Sequence, residues 1–237
     1  MPAYRRVILK ISGEALSGED DGPLSRESIC RLAAEIVAAA EGGTQIGVVV
    51  GGGNILRGVA VAASGRERLT ADSMGMLATE INGLALADAL RAAGRQARVA
   101  SAIPCGTIAE LYDAAAVDRH LASGEIVVLT AGTGNPFFST DTAAALRAAE
   151  LGADVLLKAT KVDGVYDRDP LKDHEAVRFP EIGYAEFIEQ RLGVMDLTAV
   201  SLCRDRGLPV VVFALEPPGS VARAVAGESI GSLVKEV

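Results

Sequence analysis

Leu129-Thr130-Ala131-Gly132-Thr133-Gly134-Asn135-Pro136-Phe137-Phe138-Ser139-Thr140-Asp141-Thr142-Ala143-Ala144-Ala145-Leu146 runs from an apolar strand pattern, across a loop rich in glycine and hydroxyls, into a helix pattern. Upstream, Glu125-Ile126-Val127-Val128-Leu129 is a short β-branched apolar run of the kind buried on both faces of a parallel sheet. A helix opens near Ser139 to Asp141, and an acid in its first turn suits the helix dipole. Between strand and helix, Gly132 and Gly134 permit positive φ and close backbone approach. Thr133, Asn135, Ser139 and Thr140 supply donors and acceptors. Open α/β folds hold polar ligands in such loops at the carboxyl edge of the sheet. On loop chemistry alone, an ordinary strand-to-helix turn is the competing reading.

Working outward, strand and helix patterns alternate along nearly the whole chain. Arg5 to Ile11 reads as a strand with Lys10 at its exit, and Ser12-Gly13-Glu14-Ala15 turns away from it. Ser25 precedes a helix that Gly42-Gly43 ends. The strand Gln45 to Val50 runs directly into Gly51-Gly52-Gly53-Asn54, with Arg57-Gly58 close behind. Three glycines in a row leave backbone N–H groups uncovered, the makings of an anion nest. Asp72-Ser73 is expected to cap a helix from about Met74 to Ala93. Its apolar residues cover nearly the whole circumference, so the helix is expected to be buried on more than one side, either in a thick core or, the favoured reading, against another subunit. A strand at Gln96 to Ala100 and a helix within Ile108 to Ala122 lead to the opening stretch. Asp154 to Leu157 is the next strand, ending in Lys158, and Asp163-Gly164 between β-branched residues predicts a hairpin. Helices near Tyr184 to Leu192, Thr198 to Arg206 and Gly219 to Ala226, with strands at Pro209 to Phe213 and Ser232 to Val234, complete the chain. The alternation predicts an α/β/α sandwich around a mainly parallel sheet with right-handed crossovers. One domain spanning 1–237 is expected, with lobes at about 1–152 and 153–237.

The 237 residues carry a net charge of −8 and no apolar run as long as a membrane span, so neither nucleic acid nor membrane is an expected partner. The N-terminal Met-Pro-Ala-Tyr-Arg-Arg passes at once into a strand too short for a secretory signal, which predicts a cytoplasmic protein. Cys30, Cys105 and Cys203 are scattered, as are His120 and His174, and their spacing predicts neither disulfide nor metal site. Five lysines stand against eighteen arginines. Three of the five, Lys10, Lys158 and Lys161, lie at ends of apolar strand patterns, where an ammonium on a flexible stem can meet a phosphate. No Gly-Lys pair occurs, which excludes a P-loop. Gly132-x-Gly134 lacks the third glycine of a dinucleotide fingerprint, and no Gly-x-Ser-x-Gly is present.

Five blocks together resemble the bacterial uridylate (UMP) kinases of the amino-acid kinase family. They are Lys10-Ile11-Ser12-Gly13-Glu14, Gly51-Gly52-Gly53-Asn54-x-x-Arg57-Gly58, Asp72-x-Met74-Gly75-Met76-Leu77-Ala78-Thr79, Gly132 to Asp141, and Lys158-Ala159-Thr160-Lys161-Val162-Asp163-Gly164-Val165-Tyr166. The resemblance implies the amino-acid kinase fold, the reaction ATP + UMP → ADP + UDP with Mg2+ in pyrimidine nucleotide synthesis, and a homohexamer. It implies ATP contacts at Lys10, Ile11, Ser12, Gly13, Gly53, Arg57, Thr160, Tyr166 and Asp169. It implies UMP contacts at Gly52, Asp72, Thr133, Gly134, Asn135, Pro136, Phe137, Phe138, Ser139 and Thr140. Lys10, Arg57 and Asp141 are the expected catalytic residues, with Lys158 and Lys161 as further sources of charge, and no protein ligand to the metal is assigned. GTP and UTP are the implied candidate effectors. Ala87 and Glu125 stand where arginines are expected around the GTP site that also uses Gly18 to Pro23, with Arg91 and Arg98 nearby, so weak GTP activation is expected. An acetylglutamate kinase or aspartokinase type of enzyme, or a non-catalytic nucleotide or oxyanion storage protein on this fold, are the alternatives.

Overall fold

The computed structural model describes residues 2–18, 22–56 and 67–236. Arg57, Gly58 and the middle of the Gly18 to Pro23 loop lie outside the described residues. Eleven strands are formed by the described residues: β1 (Arg6–Ile11), β2 (Gln45–Val50), β3 (Ala97–Ser101), β4 (Glu110–Leu111), β5 (Ile126–Thr130), β6 (Val155–Thr160), β7 (Val165–Tyr166), β8 (Arg178–Phe179), β9 (Glu181–Gly183), β10 (Val210–Ala214) and β11 (Ser232–Lys235). The helices are α1 (Arg26–Ala40), α2 (Arg68–Ala92), α3 (Ala114–Ala122), α4 (Thr140–Glu150), α5 (Tyr184–Glu189), α6 (Leu197–Arg206) and α7 (Ser220–Val225), with a 3-10 turn at Gly13–Leu16.

Nine strands make one sheet in the order β4-β3-β5-β2-β1-β6-β10-β11-β9, and the remaining pair, β7 and β8, is separate. All neighbours in the large sheet are parallel except β10 and β11. Strand β1 sits in the middle because Ile8, Leu9 and Ile11 are fully buried; side chains of this kind contribute roughly 1.5–3 kcal/mol each. Helices α1, α2 and α7 close one face with Leu32, Ile36, Leu86, Leu90 and Val221. Helices α3 to α6 close the other, through Leu121, Ala144, Ala148, Phe187 and Cys203. The α/β/α sandwich expected from the alternating pattern is the observed architecture. Among the described residues no helix is long and apolar enough to cross a membrane.

Two local expectations are corrected. Asp72-Ser73 does not cap a helix: α2 begins at Arg68 after Glu67, which makes no side-chain cap bond. Asp72 is instead one turn inside, taken up by Arg68 Nε at 2.7 Å on the same face and by the Phe137 N–H at 2.7 Å. Nor does Asp163-Gly164 make a hairpin with β6. Both edges of β6 are already occupied by β1 and β10, so the chain cannot fold back onto it, and β7 pairs antiparallel with β8. Gly164 is needed for a different reason: a Cβ there would collide with Ser232 Oγ. The sandwich also leaves one side of α2 uncovered, with Leu69, Leu77 and Ile81 about half exposed.

Candidate active site

Parallel pairing brings the carboxyl ends of β1, β2, β5 and β6 to one edge, and the turns that leave them carry most of the expected residues. Lys10 lies opposite Val49 on one side and Lys158 on the other. Two ammonium groups on neighbouring strands would repel each other without a counter-ion, and Asp141 supplies it. Helix α4 delivers this carboxylate because Ser139 caps it, accepting from the N–H groups of Asp141 at 3.0 Å and Thr142 at 3.2 Å. Its buried residues Ala143, Ala144, Ala145 and Ala148 are small enough for the helix to pack closely against the sheet and α6. Lys10 Nζ is 2.8 Å from Asp141 Oδ1, and Lys158 Nζ donates to Asp141 Oδ2.

The three groups are nearly closed to solvent, which bears on the protonation of Lys158 and Asp141. Burial lowers the proton affinity of Lys158 to a pKa of about 8, although Asp141 opposes the shift. For Asp141 burial acts to raise the pKa, but the combined pull of Lys10 and Lys158 outweighs it and holds the carboxyl below its ordinary range. At neutral pH the cluster is therefore two cations around one anion, a net positive centre in a low-dielectric setting.

Cavities lie near this cluster. One, of about 470 Å3, is lined by Gly52, Asp72, Thr133, Asn135, Phe138 and Thr140 among others, and Thr140 is the neighbour of Asp141. Gly53 lines it as well. A second, of about 430 Å3, is lined by Thr160, Tyr166, Asp169, Leu192 and Val194, and Thr160 is two residues beyond Lys158. Tyr166 donates to Asp163 at 2.6 Å, a bond that raises the phenol's pKa. Ion pairing to Lys172 at 3.1 Å, with the Leu171 N–H at 3.0 Å, lowers that of Asp169.

Other expected residues take up supporting places. Ile11 is fully buried, so only its backbone is available to a ligand, and Ser12 caps the 3-10 turn that contains Gly13. Gly134 adopts φ 78, and a Cβ would stand 2.8 Å from the Ala102 carbonyl oxygen. Phe137 adopts φ 72, an uncommon and strained value for a bulky side chain. Pro136, Phe137 and Ser139 are not among the cavity's lining residues, and Phe137 and Phe138 are largely exposed. Lys161 is not part of the cluster; it is exposed and pairs with Glu14 at 2.7 Å.

Sequence reasoning missed Asp196. It caps α6 through the Ala199 N–H at 2.9 Å, and it accepts from the hydroxyls of Ser139 and of Thr142, the latter at 2.9 Å. It thereby ties the first turn of α4 to the second half of the chain. Its signal was an Asp immediately before an apolar helix start. Arg147 was missed too: it is buried against the Tyr112 ring at 3.7 Å, pairs with Glu150 at 2.7 Å and donates to the Gly132 carbonyl oxygen at 3.4 Å.

A sheet edge with paired glycine turns, a buried cation cluster and ligand-sized cavities near it is an arrangement chemically suited to phosphorylated ligands. A sequence model described as the amino acid kinase family matches residues 5–214, and the chain belongs to that family. The chain is similar to the UMP kinase of Bacillus anthracis, at 35% identity and TM-score 0.94 over 98% of this chain and 96% of the other. It is similar to the UMP kinase of Ureaplasma parvum, at 34% identity and TM-score 0.92 over 98% and 99% of the two chains. The uridylate kinase of Archaeoglobus fulgidus is more distant, at 29% identity and TM-score 0.74 over 96% and 99%.

Proposed function

We propose that this protein is a UMP kinase, transferring the γ-phosphoryl group of ATP to UMP to give ADP and UDP in pyrimidine nucleotide synthesis. The observation that carries the reading is the Lys10–Asp141–Lys158 cluster near two cavities, in a chain that matches bacterial UMP kinases over nearly its full length. UMP is assigned to the 470 Å3 cavity of the 1–152 lobe, with Asp72 at the ribose and the Thr133 to Thr140 loop around the base. ATP is assigned to the 153–237 lobe for its nucleoside, at Thr160, Tyr166 and Asp169, and to Ser12, Gly13 and Gly53 for its phosphates; Arg57, outside the described residues, is assigned to ATP from the sequence resemblance alone.

The acceptor needs no base, because a nucleoside monophosphate is already largely ionised at pH 7. An oxygen of the UMP phosphate forms a bond to the γ-phosphorus as the bond to the β–γ bridging oxygen breaks, and the electron pair leaves with ADP. The protein's task is to align the two and to offset charge on the transferring group. Lys10 and Lys158 supply that charge. Asp141 keeps them together and, with both oxygens taken by ammonium groups, does not act as a base. Mg2+ is assigned to the ATP phosphates as part of the substrate, with no protein ligand assigned to it.

The half-exposed Leu69, Leu77 and Ile81 on α2 favour an isologous contact between copies, within a hexamer as in the sequence-based expectation. Around the expected GTP site, Arg98 is already held by Glu125 at 2.5 Å and Glu110 at 2.7 Å, and Arg91 donates to the Ala97 carbonyl oxygen at 3.1 Å. Cations spent in this way favour weak GTP activation. The cytoplasm is the assigned compartment. The deciding experiment is ADP release with UMP, CMP, aspartate and acetylglutamate as acceptors: strong preference for UMP is expected, and comparable turnover of CMP or of an amino acid would refute the assignment.

A further inference from the structure

The two glycine turns that face the phosphates do not hold themselves in place. Behind them, outside the cavity linings, two asparagines form a closed amide pair. Asn82, on α2 and fully buried, donates from Nδ2 to the Gly51 carbonyl oxygen at 2.6 Å and to Asn54 Oδ1 at 2.7 Å. Asn54 donates from Nδ2 to Asn82 Oδ1 at 3.0 Å and to the Pro23 carbonyl oxygen at 2.6 Å. All four amide protons are used, which fixes the orientation of both side chains. Gly13 rests directly on the pair: a Cβ there would overlap Asn54 Oδ1 and lie 2.7 Å from the Gly51 carbonyl oxygen. Gly51 in turn donates its N–H to the Ile11 carbonyl oxygen at 2.9 Å.

We propose that Asn82 is a positioning residue for phosphoryl transfer: by anchoring the Gly51 carbonyl and Asn54, it sets the separation of the Gly51–Gly53 turn from the Ser12–Gly13 turn. The inference rests on the UMP kinase reading above. With the Gly51 carbonyl drawn back toward α2, the N–H groups that follow are left to face the ligand. Two amides do this without adding charge, whereas an ionic pair at the same place would shift the proton affinity of the lysines on β1 and β6. Asn82 reaches no substrate itself; its effect passes through the glycine backbone.

The test uses the full-length chain with Asn82→Ala, Asn82→Asp and Asn54→Ala, measuring kcat, both KM values and the thermal midpoint. Misplacing one phosphate relative to the other lowers kcat more than it weakens UMP binding, and a fall of about 10- to 100-fold is expected for Asn82→Ala. In Asn82→Asp a carboxylate would face two acceptor oxygens, and burial raises its pKa. Protonation then restores one donor, so kcat relative to wild type should recover between pH 8 and pH 6. A residue that only stabilises the fold would lower the thermal midpoint and show neither the kcat loss nor the recovery in acid. Wild-type kcat in folded Asn82→Ala, or in Asn54→Ala should the Asn82 variants not fold, overturns the proposal. A wild type that turns over no UMP refutes the reaction assignment instead.

Discussion

Replacing Asp141 with Asn leaves two ammonium groups side by side with no carboxylate between them. The gap between an ordinary lysine pKa of 10.5 and the value of about 8 at Lys158 means that holding this charge in the fold costs about 3 kcal/mol even with Asp141 present. Breaking a buried pair generally costs ~3–5 kcal/mol. The variant has an alternative, which is to release the proton of Lys158. At pH 7, measured against 10.5, that limits the cost to about 5 kcal/mol, only about 1.4 kcal/mol (one pKa unit) more than in the wild type. Asp141→Asn should therefore fold, with Lys158 neutral near pH 7. Loss of one preorganised cation from the transferring phosphoryl group is expected to lower kcat by about 100-fold. The alkaline limb of the kcat profile, expected near pH 8 in the wild type, should move below pH 7, so the ratio of variant to wild type improves in acid. ADP release at saturating ATP and UMP from pH 5.5 to 9 measures both effects. An alkaline limb at the same pH in the two proteins, or a variant kcat close to wild type, would refute the coupling of Asp141 to Lys158.

Lys10→Ala should lower kcat by about 100-fold or more, and a change confined to the KM for ATP would show that Lys10 only binds. Because the folded pKa of Lys158 lies below its unfolded value, the unfolded chain holds the extra proton between about pH 8 and 10.5, so this residue's contribution to stability rises with pH across that window. Urea midpoints of wild type against Lys158→Met should diverge in that direction, and parallel curves would contradict it. Leu77→Asp with Ile81→Asp should reduce the assembled mass in light scattering, while an unchanged mass would place the interface elsewhere. GTP at subsaturating UMP should activate weakly, and Glu125→Arg should strengthen the response by freeing Arg98; several-fold activation of the wild type at low micromolar GTP would overturn that reasoning.

The parallel core was legible in the sequence because buried β-branched runs end in glycine-rich turns at β1, β2 and β5, and the carboxyl-edge rule then gathers the turns. Helix starts with a Ser cap, as at Ser25 and Ser139, were equally readable. What escaped notice depends on partners remote in sequence. Asp72 resembles a cap until Phe137 claims it from across the site. Asp163-Gly164 resembles a hairpin until β10 occupies the free edge of β6. The short strands β4, β8 and β9 carry no periodic signal because two or three residues cannot show one. Asn82 is one polar residue in an apolar helix, and no local pattern tells whether such an amide is solvated or serves Gly51, 31 positions earlier.

The place of β1 between β2 and β6 also bears on how the chain is made. Its first partner follows soon after, but the second comes only with Val155–Thr160, on the order of 10–30 s later at typical rates of synthesis. Until then one edge of this largely buried strand stands open on a nascent chain, the kind of edge that recruits other strands. Lys10 is the charged residue in the apolar run Val7–Ile11, and an ammonium on an unpaired edge discourages that pairing. The side chain assigned to phosphoryl transfer in the finished protein would thus act earlier as a guard against aggregation on the ribosome.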